Sequence, residues 1–570
     1  MLLGFDAKGR KLFFNEENRS THMHIIGSTQ TGKSKFIEWL IRQDIDSRNG
    51  LCLIDPHGSL YQAVLEYCCY NRRFIKKDII LLNPSAGDHV VGFNPFRQTA
   101  SEISVQVDQM IASTIRAWDM HDTDETPRLE KWLRCIYHTL IEKKLTLAAT
   151  EYLIDYLASD VRESLTSEIS TPIIKSELQK LNKMRAREFD DEIGSTKNKL
   201  LRFLLSGQIY RFMGLPKFNI DLLDIMESGK ILLVNLAESE RFSDPNARLF
   251  GSLLINELCQ QAKKRVPDKS RPFYLYIDEF QNFVGMDIAK GLDQLRKFGL
   301  HFILAHQRFG QLGGKDADIV DAVMTNARTR AVFGGLRRED AIMLVEEMFV
   351  GQLDLKQVKM AIYQTKFWPV YGRDTVYGKS SGYSSGSSTM TSSSMGSSAA
   401  YASDGENWFD ASLSSEPFSH SESGNTTDAE GQSDSYSYSE SEIDIPIFYP
   451  VPFKELSSVQ FYSLDELKWQ MSDALKGQLL RHCFIQIPGR ETQPMLVPFV
   501  KDTYVKPQRL EEYQFKLFQK SNAITPAQAD ELIESERKRL EQEAKLSLAE
   551  SVEPETFRQP VKTVAQKKSK

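Results

Sequence analysis

The sequence has no cysteine pattern that would bind zinc or staple a secreted fold. Its six cysteines (Cys52, Cys68, Cys69, Cys135, Cys259 and Cys483) contain no CxxC pair and no histidine at zinc-ligand spacing, so they read as reduced core thiols. No uninterrupted apolar run approaches the roughly 18–20 residues that span a bilayer. The opening Met1-Leu2-Leu3-Gly4-Phe5-Asp6-Ala7-Lys8 lacks the basic segment and apolar core of a secretory signal. The expectation is a cytoplasmic protein with no transmembrane segment of its own, whose attachment to a membrane would run through partners. A charge excess of one sign is also missing: 71 Lys and Arg face 77 Asp and Glu, a net charge of −6. Nothing in that sum advertises a nucleic-acid binder, yet a narrow basic channel would vanish in it. What is present is 570 residues, 41% hydrophobic and 26% charged, enough for two or three domains with their own cores.

Short apolar runs bounded by turn residues recur through the first 340 or so positions: His24–Gly27, Leu51–Asp55, Ile79–Leu82, Ile231–Leu236, Phe273–Ile277, Phe302–Ala305 and Ala331–Phe333. They show no clean alternation, which suits strands buried on both faces of a parallel sheet. Helical patterns between them, such as Phe36, Ile37, Leu40 and Ile41, predict a doubly wound α/β core from 1–100 and 229–378. Residues 101–228 are helical and charged, with stripes at Leu129, Trp132, Leu133, Ile136 and at Leu200, Leu201, Leu204, Leu205, and read as an inserted all-helical domain. Between 379 and 442 Ser, Gly, Tyr and acids dominate, too little apolar content for a core, so this stretch is expected to be disordered. Residues 443–510 should supply strands that pack on the core, with His482–Ile487 and Met495–Val500 flanking a Pro488-Gly489-Arg490 turn. In 511–570, Thr525 caps a charged helix, with Pro526 at its first position and Gln528 closing a capping box.

Two motifs carry chemistry. Gly27-Ser28-Thr29-Gln30-Thr31-Gly32-Lys33-Ser34 fits G-x-x-x-x-G-K-[ST] between an apolar strand and an amphipathic helix. The glycines let backbone approach phosphate, successive N–H groups form an anion nest, and the helix dipole points at the same place. Lys33 should reach the β and γ phosphates of ATP and Ser34 should ligate Mg²⁺. Phe273–Ile277 then ends in Asp278-Glu279. In a P-loop enzyme the strand beside the phosphate loop carries an Asp on the Mg²⁺ shell and a following Glu that polarises the attacking water, so Asp278 is expected at the metal and Glu279 as the base. Gln307, after Phe302–Ala305, is placed to sense the γ phosphate, and Asp55 with His57 ends another strand either near the site or in a simple turn.

Taken together, Gly27–Ser34, Ile54-Asp55-Pro56-His57-Gly58, Val91-Gly92-Phe93-Asn94-Pro95, Ile277-Asp278-Glu279-Phe280-Gln281-Asn282-Phe283, Leu304-Ala305-His306-Gln307, Arg296-Lys297-Phe298-Gly299 and Asn326 through Phe333 resemble the HerA/FtsK superfamily, and within it the TraG/TraD-like coupling proteins of conjugative type IV secretion. The resemblance runs from about His22 to Arg338. It implies a RecA-like P-loop NTPase core interrupted by an all-α domain, a homo-hexameric ring, ATP hydrolysis with Mg²⁺, and movement of DNA through the ring toward secretion-channel or relaxase-type protein partners. It also implies an arginine that completes the neighbour's site, for which Arg296 is the first candidate and Arg330 and Arg328 are alternatives. Coupling proteins commonly carry N-terminal transmembrane helices, whereas here 26 residues precede the phosphate loop. Two other readings stay open: a motor of the same fold in DNA processing or defence with a partner effector, and a nucleotide-gated adaptor that recruits protein cargo.

Overall fold

The computed structural model describes residues 1–73, 75, 78–99, 102–118, 127–217, 219–283, 286–312, 317–384 and 435–552, and it divides into two units, 1–352 with 468–570, and 353–467. In the first unit, among the described residues, one sheet of eleven strands forms the backbone of the fold. Its strands are β1 (Leu2–Asp6), β2 (Lys11–Phe13), β3 (Met23–Ile26), β4 (Gly50–Asp55), β5 (Ile79–Leu82), β6 (Ile231–Asn235), β7 (Phe273–Ile277), β8 (Leu300–His306) and β9 (Thr329–Phe333), then His482–Gln486 and Gln493–Leu496. The second unit contributes β10 (Val358–Ser384) and β11 (Ser435–Phe461), so the last two strands of the sheet are β12 (His482–Gln486) and β13 (Gln493–Leu496).

The spatial order is β2-β1-β13-β12-β9-β3-β8-β7-β4-β6-β5. From β9 to β5 every pairing is parallel, and these seven strands are the seven apolar runs of the sequence. All residues of β3, β4, β7, β8 and β9 are buried, as strands covered by helices on both faces require. Beyond β9 the sheet turns antiparallel: β12 pairs with β9, β13 with β12, β1 with β13 and β2 with β1. The N-terminal hairpin β1–β2 has no counterpart in the sequence reading, because its short polar-flanked runs carry little apolar signal. Residues 497–500 continue past β13 outside the ladder.

One expectation about the sheet is corrected. The acidic strand β7 is not the neighbour of the phosphate-loop strand β3, since β8 lies between them and pairs with both. The site is therefore built from three consecutive strand ends. The helix Lys33–Asp46 covers these strands, burying Phe36, Ile37, Leu40, Ile41 and Ile45. Its far end is tied down where Asp44, fully buried, accepts from Arg19 Nη2 at 2.7 and 2.8 Å and from the Tyr276 hydroxyl of β7. Paired and desolvated charge of this kind punishes loss of either partner.

Between β5 and β6 lie helices including Ile103–Ala117, Pro127–Glu142, Pro172–Asn182 and Ala186–Leu204. Leu129, Trp132, Leu133 and Ile136 are buried, but the second stripe differs from expectation. Its core positions are Leu200 and Phe203, while Leu205 falls past the helix end and is 81% exposed. The helix Pro526–Val552 returns to these helices through Arg211 on Asp530 at 2.8 Å and Tyr152 on Glu541 at 2.8 Å. Thr525 and Gln528 form the reciprocal capping pair at its start. The six cysteines are buried and none is in a disulfide. Among the described residues no helix is long and apolar enough to cross a membrane.

The second unit is a two-stranded antiparallel ribbon, β10 against β11, whose ladder runs from Val358↔Phe461 to Ser384↔Ser435. Paired strand therefore enters the 379–442 stretch from both ends, and 443–461 belongs to the ribbon rather than to the core sheet. Once an antiparallel register is set, polar Ser and Tyr continue it through main-chain bonds alone. Residues 385–434 of the Ser-rich stretch lie outside the described residues.

Candidate active site

The phosphate loop follows from what surrounds Ile26. At Gly27 an added Cβ would lie 2.5 Å from Cβ of Phe333, so β9 leaves no room for a side chain. Gly32 adopts φ +109° and Gln30 φ +64°, left-handed conformations that curl the chain over the start of the helix Lys33–Asp46. Three bonds hold the curl: Ser28 N–H to the Gly334 carbonyl at 3.1 Å, Thr31 Oγ1 to the Ser28 carbonyl at 2.8 Å, and Arg481 N–H to the Thr31 carbonyl at 3.0 Å. Thr29, Gln30 and Ser34 are exposed at the mouth. The free amides of the first helical turn and the helix dipole favour an anion here.

One end of this loop meets β7 and β8. Lys33 Nζ, buried, donates to the His306 carbonyl at 3.0 Å and lies 3.9 Å from Oε1 of Glu279. Burial pulls the ammonium below its ordinary pKa, opposed by Glu279 and Asp278. Gln307 Nε2 donates to Oε1 of Glu279 at 2.9 Å, and Gln281 Nε2 donates to Oε2 at 2.6 Å. Glu279 itself has φ +46°, a conformation costly for a residue with a side chain, and its N–H is held by Oδ1 of Asp278 at 3.0 Å. Asp278 is 4% exposed, and burial, then the nearby Asp55 and Glu279 carboxylates, push it up to about 6. A carboxylate so placed gains from a cation. Mg²⁺ is usually held by one or two carboxylate or hydroxyl oxygens plus substrate phosphates, so Ser34 and Asp278 with a bound triphosphate fit it.

Asp55 does both things the sequence left open: its two oxygens accept from His57 N–H and Tyr61 N–H, both at 2.8 Å, at the start of the helix Ser59–Tyr70, and its charge is near enough to raise Asp278. The arginines divide by position. Arg296 is exposed at the amino end of β8, the opposite end of the strand from Gln307. Arg328 is exposed ahead of β9. Arg330, offered as an alternative, is 7% exposed and engaged within its own chain, with Nη1 on Gln486 at 2.7 Å and Nη2 on the Met324 carbonyl. It is the second residue of β9 and lies opposite Gln486 of β12, the partner that holds its side chain inward.

Several contributors carry no sequence motif of their own. His24 and His306 meet Nε2 to Nε2 at 2.6 Å beneath the loop, both fully buried. Because His306 Nδ1 faces the Arg308 carbonyl at 3.1 Å, Nδ1 carries the proton and its Nε2 accepts from His24. Burial pushes His306 down to about 3 and His24 well below its ordinary value, so the pair is neutral and stacks under the carbonyl that holds Lys33. Gln281 and His306 stand within recognised strings but only their partners disclose a role. Gly334 and Arg481, 300 and more positions from the loop, are legible only in the fold.

A phosphate loop after a buried parallel strand, with an acid pair and a glutamine from the next strand ends, defines a RecA-like P-loop nucleotide-binding protein. Residues 10–366 match the family model described as the type IV secretion-system coupling protein DNA-binding domain. The chain belongs to that family of type IV secretion-system coupling proteins. Solved structures with a similar fold include the bacterial conjugative coupling protein TrwBdeltaN70 in its unbound monoclinic form (14% identity, 89% of this chain and 91% of that one, TM-score 0.47). Another is plasmid coupling protein TrwB in complex with ADP and Mg²⁺, with 14% identity, 89% and 91% coverage and a TM-score of 0.47. VirB4 of Thermoanaerobacter pseudethanolicus is similar at 12% identity over 61% of this chain and 87% of that one, with a TM-score of 0.40. No curated protein sequence matches.

Proposed function

We propose that this chain hydrolyses ATP with Mg²⁺ and uses the cycle to move DNA through a homo-hexameric ring. The observation that carries the reading is the meeting of Lys33, Glu279 and Gln307 at one end of the sheet, with Glu279 3.9 Å from the lysine and 2.9 Å from the glutamine amide. The loop amides and Lys33 bind and orient the triphosphate. Mg²⁺, held by Ser34 and Asp278, would neutralise charge on the transferring phosphoryl group. Glu279 accepts the proton of the water that attacks the γ phosphorus, as the bond from that phosphorus to the bridging oxygen breaks. Gln307, bonded to the same carboxylate, is the natural reporter of whether the γ phosphate is present. Arg296, exposed away from its own loop, is suited to serve a neighbouring subunit. Its partners would be DNA and the secretion-channel or relaxase-type proteins that deliver and receive it, with any membrane attachment made through them.

The test is steady-state ATP hydrolysis by the purified full chain, with and without single- and double-stranded DNA, at several salt concentrations. Stimulation by DNA that falls steeply with salt is expected, because phosphate contacts release counterions. Turnover indifferent to both DNA forms would overturn the DNA-motor reading and leave the cargo-adaptor one.

A further inference from the structure

We infer that the C-terminal segment supplies the nucleoside end of the nucleotide site, with Phe499 as the face on which the base stacks; the inference rests on the ATP-binding reading of Gly27–Ser34. Lys33, Glu279 and Gln307 fix the γ end of a bound triphosphate on the β7–β8 side of the loop. The nucleoside must then leave on the other side, toward β9 and β12, and that side is built by residues from beyond position 477. Arg481 donates its N–H to the Thr31 carbonyl at 3.0 Å, and its backbone nitrogen lies 3.3 Å from where a Cβ on Gly32 would sit. Its guanidinium donates to the Val497 carbonyl by Nε at 3.1 Å and Nη2 at 2.7 Å, and stands 5.5 Å from the Phe499 ring. Two residues further on, Arg42 of the P-loop helix donates to the Lys501 carbonyl at 3.0 Å and Lys35 to Asp502 at 2.6 Å. Phe499 is thus bracketed by anchors to Thr31 on one side and to Lys35 on the other, the two ends of the turn that must wrap the phosphates.

Phe499 is 73% exposed, and Leu479 and Leu480, immediately before Arg481, are 71% and 64% exposed. An aromatic face with an adjacent guanidinium is the chemistry that holds a purine or pyrimidine by stacking.

The experiment titrates the full chain with the non-hydrolysable analogue AMP-PNP and with inorganic tripolyphosphate, using wild type, Phe499→Ala, Phe499→Trp and Lys33→Ala. Stacking on one aromatic predicts about a tenfold loss of AMP-PNP affinity in Phe499→Ala. Phe499→Trp should restore it, its indole emission quenched by AMP-PNP and unchanged by tripolyphosphate. Unaltered AMP-PNP binding in Phe499→Ala overturns the inference, as does weak binding by both Phe499 variants without quenching. A change in oligomeric state with unchanged nucleotide affinity also overturns it and makes Phe499 part of a subunit interface. Wild-type affinity in Lys33→Ala would instead sink the phosphate-loop reading itself, whatever the Phe499 variants do.

Discussion

The sheet of the first unit and the ribbon of the second hold their strands together in opposite ways. In the sheet, β3, β4, β7, β8 and β9 are buried along their whole lengths, so each strand is fixed by apolar packing on two faces as well as by its ladder. In the ribbon, β10 and β11 pair with each other alone, and Trp368, Tyr371 and Tyr377 are 63%, 74% and 70% exposed. Two-stranded hairpins are marginal in water. The contrast teaches where preorganisation can live. Strand ends rooted in a double-sided core can hold Lys33, Asp278 and Glu279 in costly positions, including a glutamate at φ +46°, before any ligand arrives. Ribbon residues have no such support and should be able to change without disturbing the site.

The hardest test of that separation is inside the core. Glu279→Gln keeps the size of the side chain and removes the proton acceptor, so ATP binding should persist while turnover falls by about a hundredfold or more, as expected for loss of a general base. Single-turnover hydrolysis beside a binding titration measures both. Turnover near wild type would mean the carboxylate that Gln307 and Gln281 hold is not the base.

Arg296→Ala comes next. A trans-acting arginine contributes about 10³ or more in rate where measured, so turnover should drop sharply while nucleotide affinity and the melting temperature stay unchanged, because the residue is exposed and far from its own loop. Mixing Arg296→Ala with Glu279→Gln subunits should recover part of the activity, since some interfaces then pair an intact arginine with an intact base. Failure of any mixture to recover would shift the role to Arg328.

Asp278 gives a smaller effect of the opposite sign. Its folded pKa, about 6, lies above its ordinary value of 3.8, so in the nucleotide-free protein the ionised carboxylate costs stability above pH 6. That cost is relieved as pH falls from 6 toward 3.8. Two pKa units correspond to roughly 3 kcal/mol at most. Asp278→Asn should therefore raise the apo stability at pH 8, by about 1–3 kcal/mol, with the advantage shrinking toward pH 4, while Mg²⁺-dependent nucleotide binding is lost. Denaturant melts of both proteins across that range decide it, and a mutant less stable at pH 8 would contradict the buried-charge account.

The same contrast explains what could be read in the sequence. All seven parallel strands were legible because burial on both faces writes continuous apolar runs, and the phosphate loop because its backbone demands fix residue types at set spacing. The pairing order was not, since nothing local in Phe302–Ala305 says that β8 inserts between β3 and β7. The inward turn of Arg330 was hidden for the same reason: its partner Gln486 is 156 positions away. The ribbon was read as low complexity beyond 378 because Ser and Tyr carry no core signal, although an antiparallel ladder asks only for main-chain partners.

The smallest expected effect is the one that would break the comparison most cleanly. Val358 and Phe461 face each other at the base of the ladder, so their backbones are only about 5 Å apart. Replacing 359–460 with a short Gly/Ser linker removes the ribbon without stretching either flank. Nucleotide affinity should stay within about twofold and the melting temperature of the core within a few degrees, because among the described residues β10 and β11 pair only with each other and the buried sheet holds the site residues by itself. Calorimetry measures both on one sample. Loss of nucleotide binding would show that the ribbon, despite its open edges and exposed aromatics, supports the site, and the assignment of preorganisation to the buried sheet alone would fall.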